Sequence, residues 1–248
     1  MANGETPSIS VIMPVRNGER YIADAIHSIY HQSVPVSEIH VIDDGSTDST
    51  PAIVSGLAAS DSRIVVHDGP RKGPGPARNV GLRQATGDVV AFLDSDDLWP
   101  EHKLQKQVDR LAAKPEIMMA SGFVLYFDKQ IENGLEPAED ARTEELFHVH
   151  LGASVYKREV FDKVGFFDED FLYSEDVDLM LRIREACIPF TIMNEITLYY
   201  RRHDHSMTTH LTREEKRDFQ RALMSSLKRR KAAGITAPLT PFREVVGF

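Results

Sequence analysis

The chain has 248 residues, of which 42% are hydrophobic and 27% charged, and its formal net charge is −9 at pH 7. This composition is typical of a soluble globular protein with one large or two small domains, and the negative charge disfavours nonspecific nucleic-acid binding. One cysteine excludes an internal disulfide, and no apolar run approaches the ~20 residues of a membrane span. Residues 1–8 do not resemble a signal peptide, so we expect a cytoplasmic protein.

The first part of the chain predicts strands that alternate with helices. Each predicted strand is a short apolar run, and these runs lie at residues 9–14, where Pro14 ends the strand, and at 39–42, 64–67 and 89–93. The predicted helices lie between them, at residues 18–31, 49–57 (entered through Ser and Thr caps) and 77–85. This β-α-β order with short connections predicts an α/β fold with a parallel sheet covered on both faces.

The pattern after Pro100 is less regular. It predicts a helix with Leu104, Val108 and Leu111 on one side, and a last long helix at 213–233 capped by Thr212. Between them we predict a strand at 117–127, a polar loop at 129–145, a strand at 147–155, a helix at 157–164, a helix at 175–186 capped by Ser174, and strands at 190–193 and 197–200. We predict one domain over residues 1–210, with the C-terminal helix and tail, residues 211–248, packed on it.

Three acidic residues follow the fourth predicted strand. Asp94, Asp96 and Asp97 come directly after the apolar run, at the edge of the sheet where α/β proteins bind ligands. Three carboxylates this close repel one another unless a cation neutralises them, and Mg²⁺ or Mn²⁺ bridging to substrate phosphates fits this pattern. The alternative is an ordinary acidic cap on the next helix.

Two further stretches indicate a nucleotide site. Asp43 and Asp44 end the second strand, where an acid can accept hydrogen bonds from a ribose or base, although an ordinary turn explains them equally well. Residues 73–81 resemble a dinucleotide fingerprint, but Arg78 stands in place of the third glycine and the motif follows the third strand, so we exclude an NAD site. A cationic loop near a phosphate is the better interpretation, with a plain Gly/Pro turn as the alternative.

The last candidates lie in the second half of the chain. Asp176 falls at the start of a predicted helix, whose dipole favours the ionised carboxylate that a general base requires, although simple charge complementarity explains it too. His203 or His205 could complete a metal site. A surface loop histidine is the ordinary alternative for either one, and Arg201 or Arg202 could hold a phosphate.

Six motifs occur together in one order along the chain. They are SVIMPVRN at 10–17, VIDDGSTD at 41–48, ARNVG at 77–81, FLDSDD at 92–97, SEDVDL at 174–179 and RH at 202–203. Together they resemble family 2 glycosyltransferases over about residues 8–210. The resemblance implies a GT-A fold with a Rossmann-like, mostly parallel central sheet and helices on both faces. It also implies inverting transfer of a sugar from a nucleotide-diphosphate sugar, of the UDP type, to an acceptor hydroxyl in polysaccharide, lipopolysaccharide or other glycoconjugate synthesis.

The resemblance also implies a role for individual residues. The nucleotide pocket would comprise Pro14, Val15, Asn17, Asp44 at the base, Arg78 near the nucleotide or diphosphate, and Asp94 at the ribose. Asp96 and His203 would bind Mn²⁺ or Mg²⁺, with Asp97 as the alternative to Asp96, and Asp176 would be the catalytic base. Some relatives have a tyrosine that stacks on uracil where Arg16 stands here, so the identity of the base stays open.

Two rival functions remain at this stage. Residues 93–96 resemble the hhhDxD strand of haloacid-dehalogenase phosphatases, but Asp97 and Leu98 do not fit that pattern, and three predicted strands precede the motif instead of none. The other rival is a non-catalytic subunit that binds a nucleotide sugar. The partners we expect are a nucleotide-sugar donor and a saccharide or lipid-linked acceptor. The basic run at 228–231 is best explained as a helix C-terminus in solvent, and peripheral binding to the inner face of a membrane stays open.

Overall fold

The computed structural model describes residues 6–131, 134–146, 150–204, 213–235 and 238–239. The first half consists of β1 (Ile9–Val15), α1 (Ile22–Tyr30), β2 (Glu38–Asp43), α2 (Thr50–Ser60), β3 (Ile64–Asp68), α3 (Pro74–Gln84), β4 (Val89–Phe92) and α4 (Lys103–Ala113). The second half consists of β5 (Met119–Phe127), β6 (Thr143–Leu146), a 3₁₀ turn (Leu151–Ala153), β7 (Val155–Lys157), α5 (Glu159–Val164), α6 (Glu175–Glu185), β8 (Phe190–Arg201) and α7 (Arg213–Ala232).

The strands form one mixed sheet that is mostly parallel. Strands β3, β2, β1 and β4 lie side by side in that order, and all of their pairings are parallel. Strand β7 is antiparallel to β4 and β5, β6 is antiparallel to β5, and β8 runs parallel to β5. The predicted α/β class is confirmed. From β1 the chain adds β2 and β3 on one side, and it then crosses over to add β4 on the other side of β1. The topological switch point of the sheet therefore lies between β1 and β4.

Both faces of the sheet are covered, as the continuous apolar strands predict. On one face Val11 and Met13 of β1 pack in a core with α1, α2 and α4, and on the other Ile12 packs in a second core with α3, α5 and α6. Successive side chains of a strand point to opposite faces, so a strand buried on both sides must be apolar throughout. In the described ranges, no helix combines the length and apolar character that a bilayer crossing requires.

Several predicted boundaries were wrong in the second half. The polar stretch 129–145 is not all loop, since β6 begins at Thr143, and the segment predicted as a strand from 147 to 155 contains a 3₁₀ turn before β7. Residues 147–149 lie outside the described residues. The two short strands predicted near the end of the domain are one continuous strand, β8, which bulges against Gly122. Gly122 has no room for a Cβ, because Glu195 and Thr197 would lie about 2.5 Å away.

The predicted helix caps were also wrong. Ser49 and Ser174 precede α2 and α6, but neither side chain makes a capping hydrogen bond, and Ser174 has a positive φ of 62°. Asp48 instead accepts the Thr50 N–H at 3.0 Å. Strand β1 continues one residue past Pro14, and α3 begins at Pro74, three residues before its predicted start. Thr212, the predicted cap of the last helix, lies outside the described residues.

Candidate active site

The predicted site residues meet at one edge of the sheet. Val15 ends β1, Asp43 ends β2, and Asp94–Asp97 follow β4, so all three lie at the carboxyl ends of adjacent parallel strands. Ligands of open α/β sheets bind in this crevice, next to the switch point. The start of α6 and the end of β8 complete the surroundings through contacts with the β4 end.

Arg78 joins the β4 end to the start of α6. Its guanidinium donates to Asp94 Oδ1 and to Glu175 Oε1, both at 2.5 Å, and the side chain is buried. Burial acts against the charged guanidinium, but Asp94 and Glu175 outweigh it and raise the Arg78 pKa. Two motifs that lie far apart in sequence therefore share one cation, and Asp176, next to Glu175, belongs to the same site.

The two carboxylates that hold Arg78 are in different electrostatic states. Burial raises the pKa of Glu175 above its ordinary value, and neighbouring Asp176 adds to the rise despite Arg78. Burial also acts to raise the pKa of Asp94, but Arg78 and His150 together hold it below its ordinary value. Asp94 is thus an anion, whereas Glu175 is the weaker acid and serves to hold the guanidinium.

Asp97 carries an unsatisfied carboxylate oxygen. Its Oδ1 accepts the Arg201 N–H at 3.0 Å, but among the residues that the structure describes Oδ2 has no hydrogen-bond partner, although the side chain is 1% exposed. Burial raises the pKa of Asp97 well above its ordinary value, and the nearby Asp96 and Asp94 raise it further. A buried acceptor left without a donor is costly, and a cation is the partner that would relieve both the desolvation and the repulsion.

A three-residue group at this point is able to hold a metal ion. Asp94, Asp97 and His150 each offer one ligand atom, and these atoms lie within 4.8 Å of one another. Oxygen ligands with one imidazole suit Mn²⁺, and the carboxylates alone suit Mg²⁺. His150 Nδ1 accepts the Gly152 N–H at 3.1 Å. A metal bound at Nδ1 would displace this amide, and a metal bound at Nε2 would require the ring proton on Nδ1, so ligation by either nitrogen breaks this hydrogen bond.

The two residues predicted to bind metal also lie together. His203 Nε2 is 3.0 Å from Asp96 Oδ2, and the His203 ring lies against Tyr21 with the ring centroids 4.9 Å apart. Arg201 holds the same loop, since its Nε donates to the Asp96 carbonyl at 2.9 Å. The β4 end therefore has two carboxylate–histidine arrangements, one with His203 and one with His150. His205, the other predicted candidate, lies outside the described residues.

Sequence reasoning missed His150, and the structure shows how it is positioned. Its backbone leads into the turn 151–154, whose carbonyls accept hydrogen bonds from buried side chains. Trp99 donates to Gly152 O at 2.9 Å, and Gln107 donates to Ala153 O at 2.8 Å. Lys103 Nζ lies 3.4 Å from Ser154 O. No spacing in the sequence connects residue 150 with residues 94 and 97. The available signal was only a histidine shortly before the run of small residues at 152–154.

The predicted nucleotide residues occupy the ends of β1 and β2. Pro14 and Val15 are buried, while Asn17 is exposed with a φ of 55° and accepts the Thr47 N–H at 2.8 Å. Asp44 is buried, and its two oxygens accept the N–H groups of Arg71 at 2.6 Å and Gly73 at 2.8 Å. The carboxylate therefore anchors the loop before α3, and its contact with a nucleotide base stays a prediction.

Asp176 lies in the first turn of α6 and is partly exposed. Its Oδ1 accepts the Val177 N–H at 2.7 Å. The preceding Ser174 has left-handed backbone geometry, which turns the chain sharply into the helix. A carboxylate at a helix N-terminus is favoured in its ionised form by the helix dipole. Asp176 is thus a partly exposed carboxylate beside the Arg78 bridge.

Comparison with known proteins places this site in a family. A model of glycosyl transferase family 2 matches residues 10–166, and the chain belongs to that family. An uncharacterized glycosyltransferase of Haemophilus influenzae is 44% identical over 104 residues, which are 42% of each chain. TuaG of Bacillus subtilis, whose name assigns it provisionally to teichuronic acid biosynthesis, is 41% identical over 120 residues, 48% of each chain. The chain thus matches about half the length of these relatives.

Solved structures share the fold. S. aureus TarS (residues 1–349, with UDP-GlcNAc) has a TM-score of 0.66 at 21% identity, over 88% of this chain and 66% of that one. The mannosyltransferase PcManGT of Pyrobaculum calidifontis, with GDP-Man and Mn²⁺, also has a TM-score of 0.66, at 20% identity over 95% and 77% of the two chains. The predicted GT-A fold is confirmed.

Proposed function

We propose that this protein transfers a sugar from a nucleotide-diphosphate sugar to an acceptor hydroxyl, with inversion at the anomeric carbon. The observation that carries the proposal is the Arg78 bridge, which ties Asp94 at the β4 end to Glu175 at the start of α6. A metal-binding carboxylate group and a candidate base on either side of one crevice are what a single displacement needs. We propose residues 1–210 as the transferase domain, with 211–248 packed on it.

The donor would lie across the ends of β1 and β4. We propose that Pro14, Val15, Asn17 and Asp44 line the nucleotide pocket and that Asp94 contacts the ribose. UDP is our preferred nucleotide, because TarS was solved with UDP-GlcNAc, although the GDP-Man of PcManGT makes GDP sugars the necessary comparison. The Arg78 guanidinium, held by Asp94 and Glu175, would contribute positive potential beside the diphosphate.

A divalent cation fits the β4 end because the buried Asp97 Oδ2 lacks a partner among the described residues. We propose that Asp97 and Asp94 hold Mn²⁺ or Mg²⁺, together with Asp96 and His203, the pair predicted from the sequence. When bound, such an ion supplies positive charge that stabilises a leaving diphosphate. The protein's own part is to hold these carboxylates close together and to bury Asp97.

Asp176 is our proposed general base. It is partly exposed at the helix N-terminus, whereas its neighbour Glu175 is buried and occupied by Arg78, so Asp176 is the carboxylate that an acceptor can reach. It would accept the proton of the attacking hydroxyl as the bond from that oxygen to the anomeric carbon forms and the bond to the diphosphate breaks. One base suffices for a single displacement, unlike the carboxylate pair of glycosidases.

The test is Asp176→Asn assayed with a panel of UDP and GDP sugars and saccharide acceptors. We expect transfer to fall by about 10²–10⁴-fold, the usual contribution of a general base, while donor affinity measured by calorimetry is unchanged. Asp162→Asn is the matched control, since Asp162 is an exposed carboxylate near the start of another helix. A wild-type turnover number for Asp176→Asn would refute the base assignment.

The same assay separates the rival functions. A non-catalytic subunit would bind a nucleotide sugar with no turnover on any acceptor, in wild type as well as variant. Membership of glycosyl transferase family 2 removes the support for a phosphatase, and release of phosphate from simple phosphomonoesters would be the result that restores it.

A further inference from the structure

Helix α7 shows its apolar side chains to solvent. Its buried residues are Asp218, Ala222 and Ser226, spaced four apart, while Phe219, Leu223, Met224 and Leu227 are 40–54% exposed. A surface helix of a globular protein normally turns its apolar stripe towards the core. In the middle two turns of α7, the apolar side chains face solvent and small or polar side chains face the core.

The orientation of α7 is fixed by polar contacts on its inner side. Asp218 Oδ2 accepts the N–H groups of Leu172 and Tyr173, both at 3.3 Å. One turn from the other end, Arg229 donates to Asp178 at 3.0 Å and to Glu185 at 2.7 Å. These contacts hold the polar side of the helix against α6 and the loop before it, so the outward apolar stripe follows from the packing.

The outward half of α7 is also positively charged. At about 100° per residue, the three acidic residues Glu214, Glu215 and Asp218 fall on the inner half of the helix. The charged residues on the outward half are all basic: Arg213, Lys216, Arg217, Arg221, Lys228 and Lys231. Of these, Arg217 pairs with Asp218 and Arg221 pairs with Asp170. A positive, partly apolar face is exceptional on a chain whose formal net charge is −9.

We propose that α7 docks this protein on a membrane surface that contains anionic phospholipid. Leu223, Met224 and Leu227 would enter the headgroup region, and Lys216, Lys228 and Lys231 would contact lipid phosphates. Amphipathic helices bind membranes in the plane of the interface through these two contributions, and each basic residue near an anionic surface strengthens the binding. A second copy of the chain fits poorly, because a twofold contact through this face would bring like charges together.

Docking through α7 would also place the proposed catalytic base close to the membrane. Asp218 holds the backbone of Leu172 and Tyr173, which lie four and three residues before Asp176 at the start of α6. A lipid-linked saccharide in that membrane would then lie near the start of α6, a consequence that rests on the proposed function. The docking itself does not depend on it.

The experiment is sedimentation of the full chain with vesicles of phosphatidylcholine alone, or with about a third of phosphatidylglycerol. We expect the wild type to bind the anionic vesicles at least about tenfold more strongly. Lys228→Glu/Lys231→Glu should lose about tenfold or more of that binding, and Leu223→Gln/Leu227→Gln should lose binding in both lipids. Lys114→Glu/Lys163→Glu makes the same change of net charge at exposed lysines outside α7 and should bind as wild type.

The proposal would be overturned if anionic lipid does not strengthen binding of the wild type. It would also be overturned if Lys228→Glu/Lys231→Glu binds anionic vesicles as strongly as Lys114→Glu/Lys163→Glu does. It would also be overturned if light scattering shows a wild-type dimer that Leu223→Gln/Leu227→Gln converts to monomer, because a second copy would then cover the stripe. Circular dichroism and melting curves of the variants check that the exposed substitutions leave the fold intact. Vesicle binding is measured without donor or acceptor and should persist in Asp176→Asn, so its failure and a failure of sugar transfer are distinguishable.

Discussion

Strands β2 and β4, which lie on either side of β1, both end in groups of aspartates that look alike in sequence, but these aspartates have different surroundings in the structure. At the β2 end, Asp43 accepts the Ser46 N–H at 2.8 Å and Asp44 accepts two amides of the loop 71–73. At the β4 end, Asp94 pairs with Arg78, and Asp97 Oδ2 has no hydrogen-bond partner among the described residues. The Asp44 oxygens are held by loop amides, whereas Asp97 at the β4 end keeps one oxygen without a partner among the described residues.

The difference originates in the chain segments that return to each strand end. A Gly/Pro-rich loop folds back over β2, and Gly69 approaches Asp44 so closely that a Cβ there would lie 2.8 Å from its Cα. Backbone amides therefore reach both Asp44 oxygens. The β4 end instead receives side chains from remote elements, namely Arg78, His150 and His203.

The largest effect should come from removing the Arg78 guanidinium, which bridges Asp94 and Glu175. Arg78→Met leaves Asp94 and Glu175 without their buried countercharge, and we expect it to lower the free energy of unfolding by about 3–5 kcal/mol. Urea denaturation measures this. Arg83→Met is the matched control on the same helix, because its ion pair with Glu169 is exposed and worth at most about 1 kcal/mol. Equal losses in the two variants would show that the Arg78 bridge does not stabilise the site.

The next effect separates metal binding from stability. Asp97→Asn should weaken Mn²⁺ binding by about 10–100-fold, because it removes the charge of the buried carboxylate, and it should not lower the melting temperature of the metal-free protein, since like-charge repulsion is relieved. Titration of Mn²⁺ followed by electron paramagnetic resonance measures the affinity directly. Asp68→Asn, at the exposed end of β3, is the control, and wild-type Mn²⁺ affinity in Asp97→Asn would count against this metal site.

Asp44→Asn should lower stability without weakening Mn²⁺ binding, the opposite of Asp97→Asn. It weakens two charge-assisted hydrogen bonds to the loop before α3, so we expect a loss of about 1–3 kcal/mol in the free energy of unfolding with Mn²⁺ affinity retained. The same denaturation and titration experiments apply. If Asp44→Asn lowered Mn²⁺ affinity as much as Asp97→Asn does, the contrast between the two strand ends would fail.

The smallest effect concerns the support under His150. Lys103 is buried, its Nζ lies 3.9 Å from the centre of the Trp99 ring, and burial holds its pKa well below the ordinary value. Between that lowered pKa and the ~10.4 of the unfolded chain, the unfolded state binds more protons, so stability should rise with pH. Relative to Lys103→Met, the wild type should therefore gain at most about 1.4 kcal/mol per pH unit.

Denaturation at several pH values up to about 10 tests this linkage. Lys106→Met, an exposed lysine on the same helix, should show no such slope against the wild type. A flat difference between wild type and Lys103→Met would mean that Lys103 keeps its ordinary pKa in the folded protein.

The sequence by itself determined the α/β class, the parallel strands of the first half and the family. Those properties depend on local periodicity and on short motifs whose residues are close in the chain, such as the apolar runs before Asp44 and Asp94. It also identified Asp96 and His203 as a pair, which the structure brings to 3.0 Å, although their role as metal ligands remains a prediction.

Only the tertiary structure decided which carboxylate oxygens are left without a described hydrogen-bond partner. The irregular second half, with β6, the 151–154 turn and the bulged β8, was mispredicted because its strands pair with distant segments and carry weak periodicity. That half brings His150 to Asp94 and Asp97 and sets the reversed orientation of α7. Whether an aspartate oxygen accepts from an amide or a guanidinium, or has no partner among the described residues, depends on which remote segment packs beside it. Sequence spacing does not contain that information.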